Sequence, residues 1–327
     1  MMAVPPHGVD VHCSHVDAAK CHMERGEFAA ARAELDAALA IGETPHARWN
    51  RALTLLALGD YAGGWEDYRS RWELFGPRLT TPRGEYLRHV LPPWDGGSLD
   101  GRRLVVIHES GFGDSIMLLR FIPQLYGDIA LVMPPELERL GMQFAPMLDE
   151  EGERDIHCFM FDLPRLLMTR VNTVPAGAYI TPNPWLQQKW RERIGRRDRW
   201  KIGVAWSTTR VAPWRCVEAA AIRQWVAQEY PGCEVFSLQN HDRKGAAASD
   251  ITAFEFRDFA DAAALASLMD SVVSVDTAAL HVAAAQGHPD VTALLPDVRC
   301  WRWHCGSPWY PCVKFESLSA VAGAQAV

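Results

Sequence analysis

The stretch 271–287, SVVSVDTAALHVAAAQG, constrains the fold most. Its first five residues form a short β-branched apolar run, as in a strand buried on both faces. Asp276 and Thr277 break the run. Helix formers resume from Ala278 to Gln286, and Gly287 with Pro289 stops them. The stretch therefore reads as strand, tight turn and helix. Thr277 and Ala278 place backbone N–H groups at the helix N-terminus, where the helix dipole favours an anion. In an open α/β sheet this point is the carboxyl end of a strand, where ligands sit, and a diphosphate is the natural occupant. An ordinary N-capped helix is the alternative reading of the same residues.

Composition sets the outer bounds. The 327 residues are 48% hydrophobic and 22% charged, which fits a globular protein with a sizeable core in two or three domains. A net charge of −7 offers no basic field for nucleic acid. No apolar run reaches membrane-spanning length. The first residues, MMAVPPHGVDVHCSH, have neither the charged n-region nor the h-region of a signal peptide. The eight Cys are scattered, as expected for reduced thiols, so a cytoplasmic location is expected, with a membrane-peripheral one left open. Two Cys/His groupings occur: His12, Cys13, His15, Cys21 and His22, and Cys300, His304, Cys305 and Cys312. Neither has paired C-x-x-C spacing, and no structural metal is expected at either.

Residues 1–75 read as helical and repeated. Gly26 aligns with Gly59, Phe28 with Tyr61 and Ala29 with Ala62, an offset of 33 that is close to the tetratricopeptide period of about 34. Two such hairpins are too few for a free-standing solenoid, so they are expected to dock on the rest. Residues 76–101 are rich in Pro and Gly and read as a linker draped through Trp94.

Residues 102–184 read as a small α/β domain. A strand at 103–108 (RLVVIH) leads through Glu109-Ser110-Gly111-Phe112-Gly113-Asp114 into a helix from Ser115 to about Leu125. The turn lacks the third Gly of the dinucleotide fingerprint, and no acidic residue ends the next strand, which disfavours a nicotinamide oxidoreductase. Gly111 and Gly113 are expected to let substrate approach the backbone. Asp114 either caps the helix or points into a cleft. A strand at 156–161 (IHCFMF) carries His157.

Residues 185–327 read as a second βα domain. A strand at 201–206 (KIGVAW) runs into Ser207-Thr208-Thr209-Arg210, hydroxyls and a guanidinium suited to phosphate oxygens. A strand at 234–238 precedes Gln239, and a last strand is expected at 291–295. The tail, WRWHCGSPWYPCVKFE, is dense in aromatics and turn residues. Two successive βα halves with facing strand ends describe a cleft between two Rossmann-like domains.

These pieces together resemble one family. The chain is similar to tetratricopeptide-bearing glycosyltransferases of the heptosyltransferase-like type, glycosyltransferase family 9, with the GT-B fold. The matching segments are W-x-x-Y-x-x-R-W at 65–72, LPPWDG, G-x-G-D at 111–114, HC…LPR at 157–165, KIGVAW, SLQ at 237–239, SVDTAALH and WRW…SPWYP. They run from Trp65 to Pro311.

The resemblance implies an inverting transfer of a sugar from a nucleoside-diphosphate sugar, ADP-heptose-like, to a hydroxyl of a glycan or protein acceptor. The acceptor would be held by the helical repeats. Asp114 matches the family's acidic residue, the expected general base, and His157 is a candidate helper. Thr208 and Thr209 match phosphate-facing hydroxyls, with Arg210 and Arg215 as the cations beside them. Gln239 is the last residue of SLQ, and Asp276, Thr277, Ala278 and His281 match the sugar-nucleotide motif. No cofactor and no essential metal are expected, and no Asp-x-Asp motif occurs in the chain. The competing reading is a non-catalytic sugar-nucleotide-binding or scaffold protein working through the helical repeats.

Overall fold

The computed structural model describes residues 6–149, 152–195, 198–209 and 213–322. Helices α1 (Pro6–Glu24) and α2 (Phe28–Ile41) pack as one hairpin, and α3 (Pro45–Ala57) and α4 (Tyr61–Asp67) as the next. Each hairpin turns at a glycine with positive φ, Gly26 at 74° and Gly59 at 84°, a conformation that side-chain-bearing residues resist. Thr44 caps α3 by accepting from the Ala47 N–H at 3.2 Å, with Pro45 in the first turn.

The two hairpins are buried differently. Val16, Ala19, Ala31, Leu35, Ala38 and Ala47 form a cluster of their own. Leu56, Tyr61, Trp65 and Tyr68 instead belong to the main core, together with Phe161, Trp301 and Trp309. The Trp309 indole N–H donates to Tyr61 Oη at 2.8 Å, which joins α4 to the C-terminal tail. Helix α5 (Arg71–Phe75) adds a buried ion pair. Arg71 donates through Nε and Nη2 to Glu109 at 2.8 and 3.0 Å, and through Nη2 to Asp162 at 3.0 Å. Segment 76–101, read as a linker, contains helix α6 (Pro82–Val90). Its start signal is Thr81, which accepts from the Gly84 N–H at 3.1 Å, followed by Pro82. Trp94 is buried, and its N–H donates to the His157 carbonyl at 2.7 Å.

The first sheet is parallel, in the order β2-β1-β3, with β1 (Leu104–Ile107), β2 (Ile129–Val132) and β3 (Ile156–Phe159). Helices α7 (Phe112–Leu118), α8 (Pro135–Gly141) and α9 (Leu163–Leu166) accompany it. The helix expected from Ser115 starts three residues earlier, and it tightens into a 3₁₀ segment at Leu119–Gln124 around Pro123.

The second sheet is also parallel, in the order β5-β4-β6-β7-β8. Its strands are β4 (Lys201–Ala205), β5 (Glu234–Ser237), β6 (Ser271–Val275), β7 (Val291–Leu295) and β8 (Lys314–Ser317). Its helices are α10 (Pro184–Ile194), α11 (Ala219–Glu229), α12 (Arg243–Ala248), α13 (Phe259–Ala266), α14 (Ala278–Ala285) and α15 (Leu318–Ala322). Strand β8 lies inside the tail that reads as turns and aromatics. It is a short edge strand whose burial alternates between exposed and intermediate, so it has no apolar run to reveal it.

In each sheet the first strand has its successors on both sides. Strand order therefore reverses between β1 and β3 and again between β4 and β6, and the crevice at such a switch point is where open α/β sheets bind ligands. The two halves touch through α7 on α14 and α8 on α13. Arg139 of α8 clamps Asp258 through Nε and Nη2 at 2.5 and 2.7 Å, and reaches Asp261 at 2.9 Å. No helix among the described residues is long and apolar enough to cross a membrane.

Candidate active-site cleft

The carboxyl ends of β1, β4 and β6 open onto one cleft of about 770 Å³. Gly111, Gly113, Asp114, Thr208, Thr209, Arg215, Gln239, Asp276, Thr277, Ala278 and His281 all line it. The structure thus gathers the expected site residues of both halves. Two stand apart. Arg210 lies outside the described residues. His157 is not among the cleft residues: its Nδ1 bonds the Leu91 carbonyl at 3.0 Å, and burial keeps the ring's pKa below the ordinary value. It ties segment 76–101 to β3.

Asp114 fills both roles open to it. Its Oδ2 accepts from the Gly111 N–H at 3.0 Å, closing the first turn of α7. Its Oδ1 pairs with Nη2 of Arg302. Burial pushes its carboxyl upward, but the Arg302 guanidinium, the Gly111 N–H, His281 and Ser110 together hold it below the ordinary value of 3.8.

Gly113 serves packing rather than a substrate's approach alone. A β-carbon on it would stand 2.6 Å from Cδ2 of His281 and 3.5 Å from the Ala278 α-carbon. Its missing side chain lets α7 lie against α14 across the cleft.

On the other wall, the Thr277 hydroxyl does not cap its own helix. It pairs with Ser274 Oγ at 3.2 Å, and no side chain among the described residues caps the α14 N-terminus. Asp276 sits between Arg215 and His281: its Oδ2 is 3.6 Å from Arg215 Nη1 and its Oδ1 3.7 Å from His281 Nε2. Burial raises the Asp276 carboxyl, and His281, Arg302 and Arg215 outweigh it and leave it lowered.

His281 is held by a hydrogen-bond chain that crosses between the halves. Its Nδ1 is 3.1 Å from Tyr310 Oη, Tyr310 Oη is 3.1 Å from Tyr179 Oη, and Tyr179 Oη donates to the Ile116 carbonyl at 3.1 Å. Arg120 donates to Tyr179 at 3.1 Å. Each hydroxyl has one proton. Because the chain ends on a carbonyl, Tyr310 must donate to Tyr179, and His281 Nδ1–H must donate to Tyr310. That leaves His281 Nε2 turned toward Asp276.

Gln239 lines the cleft, but its amide is committed to the protein. Its Oε1 accepts from the Trp206 and Ser207 N–H groups at 2.9 and 3.2 Å, and its Nε2 donates to Ser207 Oγ at 3.0 Å. It shapes the loop after β4, where Thr208 and Thr209 stand. Arg257 and Arg302 are cleft cations outside the sequence expectations, and of the two it is Arg302 that pairs with Asp114. It lies in the W-R-W turn, Trp301–Trp303, and the density of aromatics there concealed the one cation among them. Asn240, His241, Phe256 and Phe259 complete the C-terminal wall. Among the described residues no group of three or more His, Cys, Asp or Glu is placed to hold a metal.

No family model matches the chain. Protein FlbA of Caulobacter vibrioides is 25% identical over 344 aligned residues, which cover 89% of this chain and 56% of that protein. The chain thus spans a little over half the length of that relative. The crystal structure of the glycosyl transferase family 9 from Veillonella parvula covers 71% of this chain and 91% of its own, with a TM-score of 0.52 at 13% identity. E. coli ADP-heptose lps heptosyltransferase II covers 65% of this chain and 90% of its own, with a TM-score of 0.47 at 11% identity. At such identity the Veillonella likeness is one of fold, and it supports the two-sheet, GT-B-like α/β architecture.

Proposed function

We propose that this protein is an inverting glycosyltransferase that moves a sugar from a nucleoside-diphosphate sugar to an acceptor hydroxyl. One observation carries the reading. A carboxylate at the end of β1 and an uncapped helix N-terminus at the end of β6 face one cleft at two topological switch points. Inverting transfer needs a base for the acceptor's proton, stabilisation of charge on the leaving diphosphate, and alignment of the two substrates. Asp114 is the base. The N–H groups of Thr277 and Ala278, the Thr208 and Thr209 hydroxyls and Arg215 hold the diphosphate. The resemblance to family 9 and its fold favour an ADP-heptose-like donor, and α1–α4, read as two tetratricopeptide-like hairpins, offer a surface for a glycan or protein acceptor.

The reaction balances without a cofactor. The acceptor oxygen bonds to the anomeric carbon as its proton passes to Asp114. The anomeric carbon–oxygen bond breaks, and the diphosphate leaves with the electron pair.

The test is release of nucleoside diphosphate from a panel of ADP-, GDP-, UDP- and CDP-sugars. Loss of a general base typically removes roughly a hundredfold to ten-thousandfold in rate, so Asp114→Asn should collapse turnover while nucleotide binding persists. Turnover within a few-fold of wild type in that variant would remove Asp114 from the chemistry.

A second reading, a sugar-nucleotide-binding protein without turnover, is favoured by one contact. The Arg302 pair weakens Asp114 as a proton acceptor. Saturable binding with no release from any of the sugars would decide for it.

A further inference from the structure

We propose that Arg302 is a donor-sensing residue: it holds Asp114 out of action until a diphosphate takes its guanidinium. The proposal rests on the donor reading of the cleft given above.

The residues around Arg302 suit a side chain with two positions. Its guanidinium lies 4.3 Å from the centre of the Trp301 ring and 5.8 Å from that of Phe161, so aromatic faces support it whichever anion it meets. Only one of its nitrogens bonds an anion, Nη2 to Asp114. Nη1 meets the Cys300 sulfur at 3.6 Å, a weak acceptor. Nε is buried and has no partner among the described residues. A buried guanidinium with an unmet N–H and a second N–H on a thiol is under-satisfied, and such groups are costly to leave that way. Arg215, which also lines the cleft, has a buried Nε without a partner among the described residues. Two under-satisfied guanidiniums thus line the cavity that ends at Thr277 and Ala278.

A diphosphate presents what both lack. It has several oxygens in forked geometry and more than one negative charge, against the single charge of Asp114. Arg302 and Asp114 are 15% and 16% exposed, so solvent screens their competition with an incoming anion only in part. When the diphosphate takes Arg302, Asp114 keeps its Gly111 N–H bond and loses its cation. It then becomes a stronger proton acceptor at the moment the donor is in place. Donor binding thereby precedes acceptor deprotonation, and the leaving group gains a second guanidinium.

The sharp consequence is a competition. Asp114 and the diphosphate want the same cation, so removing the charge of Asp114 should tighten diphosphate binding. The experiment is calorimetric titration of the full chain with ADP, GDP, UDP and CDP, and with inorganic pyrophosphate, for wild type, Asp114→Asn, Arg302→Lys, Arg302→Met and Asp114→Asn/Arg302→Met. For whichever nucleotide wild type binds, Asp114→Asn should bind about fivefold or more tightly, the low end of ordinary coupling between sites. Arg302→Met should bind more weakly, and the gain from Asp114→Asn should vanish in the Arg302→Met background. Pyrophosphate showing the same gain places the competition at the phosphates rather than at the base or ribose. Arg302→Lys keeps the charge in a side chain of similar length. Its binding, between those of wild type and Arg302→Met, keeps the outcome readable if the Met variants do not fold. Unchanged or weaker binding by Asp114→Asn overturns this proposal and leaves the donor reading standing. Failure of wild type to bind any of the four nucleotides overturns both.

Discussion

Gly113 and His281 touch across the cleft: a β-carbon on the first would lie 2.6 Å from Cδ2 of the second. His281 cannot swing aside freely. Tyr310 holds its Nδ1 at 3.1 Å, and the Trp303 ring lies 5.5 Å from it, centre to centre. Gly113→Ala should therefore part α7 from α14 and disturb the chain that orients His281. Overpacking of this kind costs about 1–3 kcal/mol. A lowered denaturation midpoint with weakened nucleotide binding is the expected pair of results. A variant as stable and as tight-binding as wild type would show that the two helices part easily.

This contact also marks how far the sequence could be read. Strand, turn and helix at 271–287 were legible because β-branched residues and helix formers abut with a clean break at Asp276. The cleft-lining residues of both halves were legible as strand-end polar residues, since α/β sheets place ligands there. The reason for Gly113 was not. A glycine in a turn looks the same whether a ligand or a distant histidine needs the space. Arg302 was hidden for a related reason: its value comes from Asp114, far away in the chain. The helix at Pro82–Val90 was masked by prolines that in fact mark its start. For His157, an apolar strand points to a core residue and the family resemblance to a helper, and the Leu91 carbonyl shows where its ring is held.

Asp114 links stability to acid. Burial raises its carboxyl, but Arg302 and the Gly111 N–H prevail, so its folded pKa lies below the ordinary 3.8. A depressed acid stabilises the fold fully above its unfolded pKa and loses that contribution as pH falls through the folded one. Asp114→Asn, which strands Arg302, should then be less stable than wild type at pH 7, and the gap should close on acidification below about pH 3.8. Denaturant midpoints measured across that range check it, and a gap of constant size would contradict the linkage.

The helical segment does not detach at residue 75. Tyr61, Trp65 and Tyr68 are part of the main core, and Arg71 is the buried partner of Glu109. Removing residues 1–75 leaves Glu109 buried without its cation, and breaking a buried pair costs roughly 3–5 kcal/mol. That truncation should fail to fold cooperatively. Removing 1–42 deletes the hairpin whose cluster is largely its own, and should keep a cooperative transition. Circular dichroism melts of the two truncations distinguish them, and a folded 76–327 fragment would show the segment to be an independent module.

Metal dependence separates two ways of neutralising a diphosphate. Arg215, Arg257 and Arg302 supply three positive charges along the cleft, and no Asp-x-Asp pair occurs in the chain to hold a metal. Sugar release in excess EDTA should match that without it. Strict dependence on added magnesium or manganese would mean that the guanidiniums do not neutralise the leaving group.

The position of the diphosphate in the cleft underlies each of these expectations. A crystal structure of the protein with the nucleoside diphosphate it binds most tightly tests that directly. The account predicts the diphosphate in the cleft, within hydrogen-bond reach of the Thr277 and Ala278 N–H groups and beside Thr208, Thr209 and Arg215. A nucleotide bound elsewhere, on the helical hairpins or away from the carboxyl ends of β4 and β6, would contradict it.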